Sequence, residues 1–415
     1  MSTSQPSESP VPSNPFAFRQ YRFYWLNSLA ATLATQMQVV AVGWQIYELT
    51  GSALALGLAG LIQFAPSLLF LFAVGPIIDR LRRDRILRFC RLIEAGVALL
   101  LTLGSLQGWL SRDLIFVLVF VIGSAKAFSM PTSQAFMPSL VPASVLPRAV
   151  ALSSSAHQSA TIVGPALGGL LYVAGPQIVY GTSAALFLTA ALLVWMIRAP
   201  QQLRALAPMT REYLFGGIAF IRRRPVLLGA IALDMFAVML GGATALLPIF
   251  AKDILHVGPL GLGLLRCAPA VGALAMALYL SRRPIERKAG RTLLSAVAVF
   301  GVAMLVFGLS ESFALSMAAL AVSGAADMVS VVIRMSIMQL ETPDDMRGRV
   351  SAVNSLFIGA SNQIGEFESG AVAAFIGAVG SVLVGGVGTL LVVALWFRLF
   401  PELARRNRIY EGPDA

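Results

Sequence analysis

Twelve apolar runs, each near the twenty or so residues an α-helix needs to cross a bilayer, follow one another along this chain. They fall near residues 22–47, 53–78, 86–107, 113–137, 148–174, 177–198, 226–251, 258–281, 291–309, 313–340, 350–376 and 380–400. Turn-forming stretches separate them, among them Glu48 to Ser52, Gln107 to Arg112, Val141 to Pro147 and Ser310 to Ser312. Runs of this length without strand-period alternation favour helices over a β-barrel. A length of 415 residues would suit two or three soluble domains, but 57% hydrophobic and 12% charged residues exclude that reading. The expected fold is an all-α membrane protein with twelve transmembrane helices.

The net charge of +11 resembles a nucleic-acid footprint until the basic residues are placed. With both termini inside, 26 of the 31 Lys and Arg fall in cytoplasmic segments, Arg112 and Lys252 lie outside, and Lys126, Arg266 and Arg334 lie in the membrane. Such an asymmetry orients helices, so the expected partners are a lipid bilayer and a small molecule, with no nucleic acid. The first 15 residues have neither a basic n-region nor an apolar h-region, so the first membrane helix is expected to act as an uncleaved signal. Cys90 and Cys267 have no Cys or His at ligand spacing, which points to neither a metal nor a disulfide.

The chain repeats itself in parallel orientation. Leu58 to Pro66 matches Gly261 to Pro269 at an offset of 203, and Pro142, Arg148, Ser154, Gly164 and Gly169 match Pro343, Arg349, Ser355, Gly365 and Gly370 at an offset of 201. Two parallel six-helix units related by an axis along the membrane normal are a transporter plan with the substrate site at their interface. The expected organisation is a disordered cytoplasmic N-terminus (1–20), a first six-helix bundle (21–198) and a cytoplasmic linker (199–224). A second, pseudo-symmetric bundle (225–400) and a cytoplasmic tail (401–415) follow. Arg204, Arg211 and Arg222 to Arg224, with Tyr213, Leu214, Ile218 and Phe220 interspersed, make the linker either an amphipathic surface helix or a solvated basic strap.

The loop after the second run reads Gly75-Pro-Ile-Ile-Asp79-Arg80-Leu-Arg82-Arg83-Asp84-Arg85. It resembles the signature between helices 2 and 3 of the major facilitator superfamily, with Arg82 where that pattern has Gly and Asp84 where it has a base. The resemblance implies that Gly75, Asp79, Arg80 and Arg83 belong to a latch closing the cytoplasmic side, in which Asp79 engages the start of helix 11. Gly164-Pro165-Ala-Leu-Gly168-Gly169 is similar to the helix-5 motif of the antiporter branches. Its Pro bends the helix and its small residues admit a neighbour. Ala325 to Arg334, Met346 to Val350 and Gly365 to Gly370 narrow the resemblance to the branch of enterobactin exporters and macrolide efflux pumps.

Charge at membrane depth costs at least a few kcal/mol, so each such residue is a candidate for function. Asp327, Ser330 and Arg334 share a face of the tenth run by their spacing. Lys126 stands at the position equivalent to Asp327, and the two either meet across a central cavity or form a structural pair. At 1.5 Å per residue, Asp234 lies roughly 12 Å into the seventh run, level with Arg334, and Glu366 lies roughly 24 Å into the eleventh, level with Arg266. These make two candidate pairs. Asp234, Asp327, Glu366 and Glu368 outnumber Lys126, Arg266 and Arg334 by one, and a desolvated surplus carboxyl is the minimum device for proton coupling. The proton-coupling candidates are Asp327, Glu366 and Asp234. Glu366 and Glu368 project about 200° apart, so Asn362 and Glu366 are expected to face the cavity and Glu368 a neighbouring helix, as a structural acid.

Thr35, Gln38 and Gln45 on the first run, His157 and Gln158 on the fifth, Ser330 and Asn362 complete the cavity candidates, each weighed against ordinary packing. No nucleotide-binding loop occurs, so no cofactor is expected and a proton gradient is the energy source. The function read is proton-coupled antiport of an amphipathic small molecule, a siderophore or drug-like compound, out through the inner membrane, by a monomer that is not an enzyme. Uptake by symport and a transport-dead sensor or scaffold are the alternatives.

Overall fold

The computed structural model describes residues 14–198, 211–285 and 287–407. Among the described residues it is helical throughout, without strands. The first half of the chain forms α1 (Arg19–Thr50), α2 (Ala53–Leu69), α3 (Leu71–Arg80), α4 (Arg83–Gln107), α5 (Arg112–Phe136), α6 (Leu146–Tyr172) and α7 (Pro176–Trp195). The second forms α8 (Arg211–Arg222), α9 (Pro225–Leu240), α10 (Gly258–Arg282), α11 (Ala289–Leu309), α12 (Phe313–Glu341), α13 (Asp344–Leu399) and α14 (Pro401–Arg405).

Local chemistry sets the ends. Gly51 and Gly108 take left-handed conformations (φ 58° and 73°) that stop α1 and α4. Ser52 and Ser111 follow as N-caps, accepting from the N–H groups of Ala55 and Leu114. The expected run 53–78 bends by 55° at Phe70, between Pro66 and Pro76, which each remove a backbone donor. The expected run 226–251 is not one helix: α9 stops at Gly241 and Gly242, then a 3-10 turn (Ala243–Leu246), a helical turn (Leu247–Ile249) and a π-turn (Phe250–Ile254) carry the chain on. Space dictates that break, because an added Cβ on Gly242 would lie 2.7 Å from the Gly365 carbonyl. In α13 the single residue Gly377 (φ 79°, ψ 165°) joins two arms, 344–376 and 378–399, and Ser381 Oγ donates back to the Ser369 carbonyl across the fold.

Seven helices among the described residues are long and apolar enough to cross a membrane, or eight if the bent α2–α3 pair is one span. Large apolar side chains remain exposed on nearly every long helix, Phe375 the most at 88%. Hydrocarbon is the solvent that suits such a surface.

The halves share a core at one end. At the end away from the termini, Met37 to Tyr47 of α1 and Ala55 and Leu56 of α2 share one core with Ala243 to Ala251, Leu262, Leu265 and Phe307. At the terminal end there are two cores, one around Tyr21, Leu87, Phe136 and Val194 and the other around Leu227, Ile337, Val353 and Trp396, with Leu71 of the first half packed against the second. Between the halves, α6 packs on α10 and α2 on the first arm of α13.

Two expected boundaries change, and the linker helix forms within its expected range. Residues 14–20 are ordered: Asn14 accepts from the Phe16 N–H, and the Phe16 ring lies against Tyr21 and Trp25. Pro401–Arg405 of the expected tail is helical and packs on α9 and α11, burying Leu403, because Arg406 pairs with Glu341 and its carbonyl accepts from Gly290. The linker helix forms over Arg211–Arg222 and lies on α13, with Ile221 in the core, while residues 199–210 lie outside the described residues.

Candidate functional site

A cavity of about 80 Å³ lies between α1, α2 and α5 of the first half and α10, α13 and the Ala243–Leu246 turn of the second. Its polar lining is Thr35, Gln38, Gln63, Lys126, Arg266 and Glu366. Glycines make the room. An added Cβ on Gly60 would stand 2.5 Å from Glu366 Oε2 and 3.2 Å from Gln363 Oε1, and one on Gly43 would stand 3.8 Å from Arg266 Nη2. The carboxylate therefore crosses the seam onto α2 and the guanidinium onto α1. Arg266 and Lys126 line the cavity with Glu366, yet no direct ion pair joins the three among the described residues. Charges held near but not against one another can be re-paired by a ligand or a proton.

A second constellation lies wholly inside the second half. Asp234 on α9 and Arg334 on α12 form a buried ion pair, as their depths predict. Asp234 also lines a small pocket with Asp327, Ser330 and Phe300. Asp327 has no hydrogen bond or ion pair there, and Ser330 Oγ is buried without a partner. The expected meeting of Lys126 and Asp327 across the cavity does not occur. Lys126 faces Glu366 in the first cavity, with Glu94 and Arg91 behind it, while Asp327 points into its own half's pocket. Equivalent positions in a parallel repeat face the same way relative to their own half, and here only one faces the seam.

Gln45 also departs from expectation. It accepts from Tyr180 Oη (2.6 Å) and donates to Ser105 Oγ (3.3 Å), a packing role inside the first half. His157 is exposed on α6 with Nδ1 3.5 Å from Thr32 Oγ1, and Gln158 beside it is half-buried; neither lines the cavity. Asn362 is exposed and spends its amide on the Ile358 carbonyl (2.8 Å), so it does not share the cavity with Glu366. Gln363, three residues before Glu366, is the neighbour that does face Gly60. Glu368 makes no hydrogen bond or ion pair to a neighbouring helix among the described residues. It lies between the exposed Ile364 and Phe375 on the outward side of α13.

The small residues of α6 act as their spacing predicts. Gly164 lies against Gln36, Gly168 against the Met37 backbone, and Gly169 against Gly263 and Leu260 of α10, with Pro165 alongside. Of the latch expected from the loop after α3, the described side chains are Gly75, Arg80 and Arg83. Arg83 is buried but donates to the Ala135 carbonyl of its own half (2.8 Å), Gly75 is half-buried and Arg80 is exposed. Arg82 pairs with Asp84 at 3.1 Å, and the Asp79 side chain lies outside the described residues.

Sequence reasoning missed the groups sealing the other end. Tyr47 Oη donates to Asp253, and the Lys252 ammonium sits 5.5 Å from the Tyr47 ring centroid. Their only signal was position, in turns bordering the first and seventh runs. Replacing Tyr47 with Phe removes a hydrogen bond to a charged group, worth about 1.5–3 kcal/mol, and should shift the population toward opening of this end by roughly tenfold or more. The check is maleimide labelling of a cysteine placed at the fully buried Ala251, which should accelerate in the variant. Unchanged labelling would show that apolar packing alone holds the seal.

A family model described as "Transmembrane secretion effector" matches residues 11–408. Among curated proteins, the enterobactin exporter EntS of Citrobacter koseri is 26% identical over 402 residues, covering 95% of each chain. Macrolide efflux protein A of Streptococcus pyogenes is 24% identical over 367 residues, covering 86% of this chain and 90% of that one. Among solved structures, a bacterial homologue of the lysosomal transporter Spinster, inward-facing and unoccupied, superposes with a TM-score of 0.72 at 14% identity, over 93% of this chain and 98% of that one. An inward-facing bacterial homologue of ferroportin gives 0.71 at 16% identity, over 94% and 99%.

Proposed function

Because the chain belongs to the transmembrane secretion effector family of major facilitator superfamily transporters, we propose that it is a secondary active exporter that moves an amphipathic small molecule outward in exchange for protons. Membership makes it a multi-pass membrane transporter and not an enzyme. The observation that carries the finer reading is the cavity of Glu366, Arg266 and Lys126 on the seam between the halves. A charged site on the surface that must open and close is where binding and reorientation can be coupled. Export is supported by relatives named for efflux of a macrolide and of enterobactin, and by the Gly164 to Gly169 packing of α6 on α10.

The topology proposed is twelve passes in two six-helix halves, 21–198 and 225–400, with both termini cytoplasmic in the inner membrane. Besides the spans already apolar enough, α1, α4 and α6 have the length to cross, and α13 supplies two antiparallel arms. On this orientation the core shared by the halves lies on the outer side.

Among the proton-coupling candidates, Asp327 is the acid without an ion pair among the described residues, whereas Asp234 is held by Arg334 and Glu366 shares its cavity with two cations. Asp327→Asn is therefore expected to abolish gradient-driven transport while leaving cargo binding within about twofold, because a neutral isostere removes only the titration. The measurement is accumulation of a panel of siderophores and antibiotics in inverted vesicles with an imposed pH gradient. Accumulation that survives collapse of that gradient, or that persists in the Asn variant, would sink the coupling claim.

A further inference from the structure

The cavity on the seam carries an excess of positive charge. Of its lining residues only Lys126, Arg266 and Glu366 are charged, two cations against one acid. The groups behind Lys126 do not alter that balance, since Glu94 and Arg91 are already joined to each other at 2.6 Å. Two buried donors on the lining, Arg266 Nε and Gln38 Nε2, lack an acceptor. An unmade hydrogen bond from a buried donor costs stability, and the cost is larger for a charged one. Gln363 Oε1, beside Gly60 but outside the lining, is an acceptor that also lacks a partner, so the case for an anionic guest rests on the excess of cation over acid together with the unmatched guanidinium donor.

We infer that the cargo presents an anionic oxygen group, a carboxylate or an acidic phenol, which Arg266 and Lys126 take, and that Glu366 is the internal stand-in for that group when the cavity is empty. The inference rests on the export reading above and names the class of cargo for the same site. A guanidinium offers planar paired donors suited to such a group, and a lysine adds a second point charge. Cargo and the Glu366 carboxylate then compete for the same two cations. The stand-in also has a transport role: without it, an empty carrier would reorient with two uncompensated cations at membrane depth, which is costly. With it, the emptied cavity keeps a counter-charge beside the two cations, near them but not in direct ion-pair contact.

The arrangement makes an unusual prediction for Glu366→Gln. Removing the competing carboxylate should tighten anion binding by about tenfold and slow turnover by at least as much. A site in which Glu366 itself grips a cationic cargo predicts weaker binding instead. The test is calorimetric titration of the purified full-length protein with 1-naphthoate and 1-naphthylmethylammonium, which share an aromatic body and carry opposite charges.

Naphthoate is expected to bind at least about tenfold tighter than the ammonium probe, tighter still in Glu366→Gln, and about tenfold weaker in Arg266→Gln. Arg266→Lys, which keeps the charge, should recover part of that loss and shows that the Gln variant is not merely unfolded. Preference for the ammonium probe, weaker naphthoate binding in Glu366→Gln, or binding of neither probe overturns the inference. Titration needs no gradient, so naphthoate binding without gradient-driven accumulation in vesicles would remove the coupled-export reading and leave the anion site standing. Accumulation of the ammonium probe would do the reverse.

Discussion

Replacing Asp234 with Asn is expected to cost the purified protein about 3–5 kcal/mol, because it leaves the Arg334 guanidinium buried without a counter-charge. The two side chains are only 7% and 4% exposed, and Arg334 Nε has no hydrogen-bond acceptor to fall back on. Arg334→Met alone should cost a similar amount by stranding Asp234. The double replacement Asp234→Leu with Arg334→Met should be far less damaging than either single one, since an apolar pair of similar volume removes both desolvation penalties. Denaturant unfolding in detergent would measure this. Additive single losses in the double variant would show that the two residues act independently. The cycle also separates a structural pair from a transport one, because a stable double variant that still exports would exclude Asp234 from the proton path.

Gly169→Leu is expected to reduce export more than tenfold and to destabilise the protein by about 1–3 kcal/mol, the usual cost of overpacking. An added Cβ there would stand 3.1 Å from the Gly263 and Leu260 Cα atoms, so the obstacle is backbone that cannot rotate away. Because α6 and α10 belong to opposite halves, pushing them apart should disturb a contact that would slide in the alternating access proposed above. Gly96→Ala is the control. Nothing lies within 4 Å of its Cβ position, so this substitution inside α4 should stabilise by about 0.5–1 kcal/mol and leave transport intact. Transport unaffected by Gly169→Leu would mean that the α6–α10 contact is not part of the moving interface.

Much of the fold was legible because a bilayer allows few solutions: an apolar run of twenty residues must satisfy its backbone internally, so it becomes a helix. What failed were features set by contacts between runs. The Gly241-Gly242 pair that ends α9 is a local breaker hidden inside an apolar run, and the close Gly365 backbone across the packing shows why Gly242 carries no side chain. The pairs were partly legible, since depth along a helix is arithmetic. That arithmetic matched Asp234 to Arg334 and put Glu366 level with Arg266, which line one cavity. It could not fix rotation about the helix axis. Rotation turned Gln45 to Tyr180, Asn362 away from the cavity and Asp327 away from Lys126.

The sequence by itself determined that this chain is a helical membrane protein with a parallel internal repeat and acids at a depth where charge is expensive. Composition, run length and periodicity are properties of one strand of chain, and solvent acts on them one segment at a time. Only the tertiary structure decided which charges share a space. Whether Glu366 meets Arg266 depends on glycines at 43 and 60 of the opposite half, which leave the seam open enough for both side chains to cross it. That is a relation between surfaces, and it exists only once the halves are packed.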